Sequence, residues 1–264
     1  MKKKLSPYEK ELIQLKKDED AFKKKYLEKN DSVLNRLLED KVPAGLQSTL
    51  DAAFAKAFAL VFEKGTGLIE RSYKRDELEK SFKIAKFAAE LRGDRKSLRQ
   101  ITGKASAGKA LNMTVSGVAG MGMGFLGVGI PDIAVFTALL LKNIYETALR
   151  YGFSYDSEEE QAFILRLIHS AVCHGYDFLY TDKELDDFIE TGRFETAMCR
   201  EKLIKQAAGA LSRDLLYMKF LQGIPVVGVI GGAYDALFMQ RTGTYAELKY
   251  RKRFYANMKK KADV

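Results

Sequence analysis

The chain has 264 residues, enough for one large domain or two small ones. It is 47% hydrophobic and 30% charged, a globular composition that excludes a disordered tail. Two cysteines exclude a disulfide framework, and 44 basic against 35 acidic residues leave a net charge of +9, with the bases clustered in RGDRKSLRQITGKASAGK and in KYRKRFYANMKKKADV.

Taken in chain order, nearly every segment reads as helix. The opening stretch, MKKKLSPYEKELIQLKKDED, has no apolar core behind its lysines and is not read as a secretory signal. It continues to residue 30 as a charged helix with a thin apolar stripe at Leu12, Leu15, Phe22, Tyr26 and Leu27. In KVPAGLQSTLDAAFAKAFALVFEKGTG, Pro43 suits a first helical position. Leu46, Leu50, Phe54, Phe58 and Phe62 recur every fourth residue, and Gly65 is expected to end the run. RDELEKSFKIAKFAAELRG follows, with Asp76 as the expected cap and Gly93 as the stop.

Next come two uncharged, glycine-laced stretches. Ala110 to Pro131 holds no charge, and Ala110 to Val128 as a helix would measure about 28 Å, close to a bilayer core. Interior glycines cost about 1 kcal/mol each relative to Ala, a cost usually offset where a neighbouring backbone comes close. Gly120 and Gly124 form one GxxxG pair, Gly228 and Gly232 a second, both helix-contact patterns. Pro131 is expected near the first position of a new helix. Asp132 then falls in its first turn, where a carboxylate favours the helix dipole or, alternatively, binds a headgroup amine or a partner cation at the base of an apolar groove. Nine apolar residues separate Asp132 from Lys142, too few to recross a bilayer, which argues against a two-pass hairpin. The second stretch, Phe220 to Gln240, is uncharged except for Asp235 and broken by Pro225. Both stretches carry Gly-Ile-Pro ahead of an apolar helix, which suggests two similar elements packed together.

Between them, Ser157 with Glu160, and Thr181 with Glu184, match capping boxes. No segment reads as a convincing strand. The expected architecture is an all-α multi-helix bundle with glycine-rich apolar hairpins, divided into a charged helical arm over 1–40 and a single domain over 41–264.

Patterns that carry reactive chemistry are sparse in this sequence. GKASAGKA nearly matches a phosphate-binding loop through Gly103, Gly108 and Lys109, but Ala110 replaces the magnesium-ligating hydroxyl and no buried strand precedes it. His169 and Cys173 share a helix face beside His174, short of the four ligands a zinc site needs. DSEEE and DKELDD offer paired carboxylates, but at helix starts, where acids are expected anyway. No metal or cofactor is implied. The basic C-terminal YRKRFYANMKKK brings no nucleic-acid recognition motif with it.

Three blocks carry a resemblance. KVPAGLQSTLDAAFAKAFALVFEKGTGLIERSY (41–73), GIPDIAVFTALLLKNIYETALRYGFSYDSEEEQAFIL (129–165) and IPVVGVIGGAYDALFMQRTGTYAELKYRKRF (224–254) together resemble the EcsC protein family. The resemblance implies a bacterial protein linked to the Ecs-type ABC transporter system, with no reaction or cofactor defining it. Asp235 stands where Asn is expected in many relatives.

The expectation is therefore a non-enzymatic accessory protein on the cytoplasmic face of the membrane. Its glycine-packed segments, 106–150 and 220–242, would engage lipid or transporter helices through Gly120, Gly124, Gly228, Gly232, Asp132 and Asp235. Lys104, Lys109, Arg241, Arg251, Lys252 and Arg253 would form the basic flank. The alternatives are a helical protein enclosing an apolar, lipid-like ligand, and an undetected hydrolase-type enzyme using Asp132, Asp235 or His169.

Overall fold

The computed structural model describes residues 5–27, 45–111, 131–194, 199–221 and 233–262. Within them the chain is helical throughout, with no strand, as its composition dictates. The helices are α1 (Pro7–Leu27), α2 (Leu46–Leu60), α3 (Thr66–Glu70), α4 (Arg75–Arg92), α5 (Arg95–Leu111), α6 (Pro131–Arg150), α7 (Glu158–Val172), α8 (Gly175–Thr191), α9 (Arg200–Leu221) and α10 (Ala233–Ala262). Gly120, Gly124, Gly228 and Gly232 lie outside the described residues, as does Pro43.

The local signals succeed where a few neighbours decide the outcome. Gly93 ends α4 in the left-handed region with φ 60°. The Ser157 hydroxyl caps α7 by accepting from the Glu160 amide at 3.2 Å. Other details differ. Gly65 does not end a helix: a π turn over Val61–Gly65 leads directly into α3. A stripe at every fourth residue creeps about 40° per step around a 3.6-residue helix. One wide turn re-aims it, so Phe62 and Ile69 both face the core. Asp76 is in the first turn of α4 but the cap position is Lys74. Thr181 caps nothing, because α8 starts earlier, at Gly175; its hydroxyl donates back to the Asp177 and Phe178 carbonyls. The phosphate-loop look-alike is helix: Gly103, Gly108 and Lys109 all belong to α5.

The 30-residue α10 is the axis of the bundle, packed against α1, α5, α6, α7 and α8. The second layer is α2 on α9, α9 on α7, and α2 on α6. The charged N-terminal helix is part of this assembly: Leu15, Phe22 and Tyr26 bury one face of α1 against α8 and α10. Phe22 stacks on Tyr245 with centroids 5.1 Å apart. The helices that follow the two glycine-rich stretches, α6 and α10, meet through Phe136 and Phe238, 5.2 Å between centroids. Among the described residues Gly243 permits close approach there: a Cβ would sit 3.0 Å from the Asn143 amide.

Candidate functional site

Two neighbouring features depend on α1 and α10 coming together, the first with α8 and the second with α9. The first is a buried ion network. Lys249 is 1% exposed, yet its ammonium reaches Asp182 at 2.7 Å and Asp186 at 2.5 Å. Lys23 of α1 closes on Asp182 at 2.6 Å, and Lys252 joins Asp186 at 2.8 Å and Glu19 at 3.4 Å. The Tyr245 hydroxyl donates to Asp182 at 2.7 Å and lies 2.8 Å from the Ser170 hydroxyl. Burial pushes the Asp182 carboxyl up, but Lys249 and Lys23 more than reverse it and hold it at about 2. Burial drives the Tyr245 phenol well above its ordinary range.

Serine, tyrosine, carboxylate and lysine in one cluster have the residue types of a catalytic site. Their burial sets them apart from a substrate-facing site: Ser170, Asp182, Tyr245 and Lys249 are each 2% exposed or less. This is a lock, and so is the neighbouring group around Glu160. That carboxylate accepts from the Tyr250 hydroxyl at 2.7 Å and Arg253 at 2.6 Å. The Arg253 guanidinium lies over the rings of Phe153, Phe163 and Phe188. Burial raises the Glu160 carboxyl, and Arg253 and Tyr250 oppose the rise.

The second feature is open. A cleft of about 560 Å³ runs between α1, α9 and α10. Phe22, Tyr26, Leu237 and Phe238 supply its apolar walls; Asp18, Lys25, Asp214 and Arg241 supply its charges. The volume falls in the range of roughly 300–1,000 Å³ typical of small-molecule sites. Arg241 lies with its guanidinium 4.1 Å from the Tyr26 ring centroid. It donates to the Cys173 carbonyl at 2.8 Å and meets Asp214 at 3.6 Å. Asp18 is held by Arg251 at 2.5 Å and by Gln14 at 2.8 Å. Both acids are therefore engaged by arginines, whereas Lys25 is exposed and meets no carboxylate among the described residues. The cleft is an apolar trough with a cationic end.

The sequence-predicted residues divide accordingly. Arg241 lines the cleft. Arg251, Lys252 and Arg253 pair with Asp18, with Asp186 and Glu19, and with Glu160, so these three bases are neutralised by acids of α1, α7 and α8. Asp132 and Asp235 have their backbones in the first turns of α6 and α10, and Lys104 and Lys109 theirs in α5; their side chains, like the four GxxxG glycines, lie outside the described residues. His169 pairs with Arg166 through Nδ1 at 3.0 Å. Among the described residues no group of three or more His, Cys, Asp or Glu is placed to hold a metal ion. The cleft itself went unread in the sequence. Its only trace was Phe22 and Tyr26 on the α1 stripe, with nothing local to say that Arg241 meets them.

The architecture thus defines an all-α bundle with an open cleft between α1, α9 and α10 among the described residues. The chain belongs to the EcsC protein family, whose model matches residues 8–254, from the start of α1 to the middle of α10. Comparison with curated proteins and with solved structures gave no match.

Proposed function

We propose that this chain is a non-catalytic accessory protein of the cytoplasmic membrane face that binds a lipid-like amphiphile in the cleft between α1 and α10. The observation that carries this reading is the pairing of aromatic walls with a cationic rim. Phe22, Tyr26, Leu237 and Phe238 suit an acyl or other apolar body, and Lys25 suits its anionic end. The buried networks hold the cleft's walls in register rather than performing chemistry. ABC-transporter subunits are the protein partners that the family resemblance suggests, and no cofactor enters the reading.

The chain contains no tryptophan, which makes the test direct. Leu237, half-exposed on the cleft wall, is replaced by Trp as a single reporter. Titration of the full chain with a long-chain fatty acid and a lysophospholipid should give a saturable fluorescence change, weakened roughly tenfold when Lys25→Glu is added. A signal that never saturates, together with native mass spectra free of co-purified amphiphile, would refute the cleft as a lipid site.

A further inference from the structure

On α4 the usual order of side chains is inverted. Its inward face, against α5 and α6, carries Ala85 and Ala89, both buried, with Leu78 and Phe82 beside them. Its outward face carries Ile84, Phe87 and Leu91, 69%, 67% and 76% exposed. At 100° per residue these three fall within one narrow stripe, and Lys80 continues it one turn toward the N-terminus. Single exposed apolar residues are ordinary, but three large ones aligned at i, i+3 and i+7 form a contiguous patch.

The charge around the stripe is one-sided. From Lys80 to Arg99 the sequence holds seven bases and two acids. Of the acids, Asp94 accepts from the Ser97 amide at 2.7 Å and Glu90 lies 3.7 Å from Lys86. Arg95 and Arg99 converge on Glu11. Lys80, Lys83 and Lys96 are exposed and have no ion-pair partner among the described residues, and the exposed Arg92 has Asp94 as its acidic neighbour. Asp76 and Glu77 sit at the opposite, N-terminal end of the helix, where Glu77 pairs with Lys74.

We propose that α4 is the surface by which this protein lies on an anionic bilayer. Ile84, Phe87 and Leu91 enter the boundary between headgroups and acyl chains, and Lys80, Lys83, Arg92 and Lys96 meet lipid phosphates. An interfacial helix needs this combination of an apolar stripe bordered by bases. A second copy of the chain is the poorer occupant, because the same surplus of bases would face itself across the interface. The inference rests on the membrane-face reading above and assigns it a surface, one different from the glycine-rich segments and the C-terminal bases.

The test is flotation of the full chain with vesicles of phosphatidylcholine alone or mixed with phosphatidylglycerol, at low and high salt. The wild type should float with the anionic vesicles and lose most of that binding in high salt. Ile84→Ser/Phe87→Ser/Leu91→Ser should bind roughly tenfold less, and Lys80→Glu/Lys83→Glu should lose the preference for anionic lipid. All five residues are exposed, so unchanged melting curves are expected. Should the triple variant fail to fold, Phe87→Trp serves instead: its emission should shift to the blue on anionic vesicles and be quenched by brominated acyl chains. A triple variant that floats like the wild type, or a Phe87→Trp variant whose emission is indifferent to vesicles, overturns the assignment to α4 while leaving the membrane reading intact. A wild type that floats with no vesicle overturns both. A dimer that dissociates in the triple variant, seen by light scattering without vesicles, overturns it in favour of a self-interface.

Discussion

Lys249→Met is the sharpest probe of the bundle's interior, because one side chain links α10 to α8 beneath α1. The variant keeps the unbranched stem of the side chain and removes the ammonium. Asp186 retains Lys252 at 2.8 Å and some solvent, so the loss falls on Asp182, buried and left with Lys23 and the Tyr245 hydroxyl. Removing one partner of a buried ion pair costs about 3–5 kcal/mol; with Lys23 still present the lower end applies, about 3 kcal/mol. The carboxyl itself provides a second measure. Its displacement from 3.8 to about 2 corresponds to a net stabilisation on the order of 2 kcal/mol. Against a total stability of about 5–15 kcal/mol either figure is large, and at about 2–4 °C per kcal/mol the melting temperature should fall by roughly 6–12 °C.

Urea unfolding followed by circular dichroism at neutral pH measures the loss, and the double variant Asp182→Asn/Lys249→Met should recover about 1 kcal/mol or more of it. The pH dependence has a definite sign. Because the folded carboxyl titrates below its unfolded value, its contribution is complete above about pH 4 and disappears as pH falls through about 2; Asp182→Asn should flatten that part of the acid limb. A Lys249→Met protein within about 0.5 kcal/mol of the wild type would refute the lock.

Two further expectations concern the flanks of the core. Gly152 has φ +81°, and a Cβ there would fall inside the Phe82 ring, so Gly152→Ala should cost about 1–3 kcal/mol in a thermal melt; an unchanged melt would count against the packing of α4 on the turn after α6. Burial, with Arg166 and Arg213 adding repulsion, lowers the His169 imidazole from 6.5 to about 4. The unfolded chain therefore takes this proton first, and stability should drop as pH falls from 6.5 toward 4. The His169 ring resonance, assigned by its loss in His169→Gln, should stay flat from neutral pH to about 5; a midpoint near 6.5 would contradict its burial.

The aromatic periodicity of α2, the Gly93 stop and the Ser157 cap were legible because each is decided within a turn or two of chain. The Ser157–Glu160 motif shows where that reach ends. The serine half of the box forms, while the Glu160 carboxylate leaves its own helix for Tyr250 and Arg253, 90 and 93 residues away. Thr181 shows the opposite error: its spacing to Glu184 fits a cap, but packing of Phe178 into the core carries the helix back to Gly175. The exposed stripe of α4 is visible as periodicity, yet periodicity alone cannot say which apolar face turns inward. The small residues Ala85 and Ala89 let α5 and α6 come close, and so the larger side chains are left outside.

Composition and local spacing, then, determined that this chain is helical, where several helices end and which stripes are apolar, since propensity, capping and 3.6-residue periodicity act over short range. The long-range charge pairing was decided by the tertiary structure. The acidic DKELDD and basic KYRKRF segments, separate features in the sequence, meet as Asp182 and Asp186 with Lys249 and Lys252, and Asp18 finds Arg251 across 233 positions. Coulomb attraction depends on distance in space and not along the chain. Arg251, Lys252 and Arg253, which advertise an external anion in the sequence, are therefore neutralised inside the fold, while Lys25 at the cleft and the bases on the outer face of α4 are among those that stay exposed.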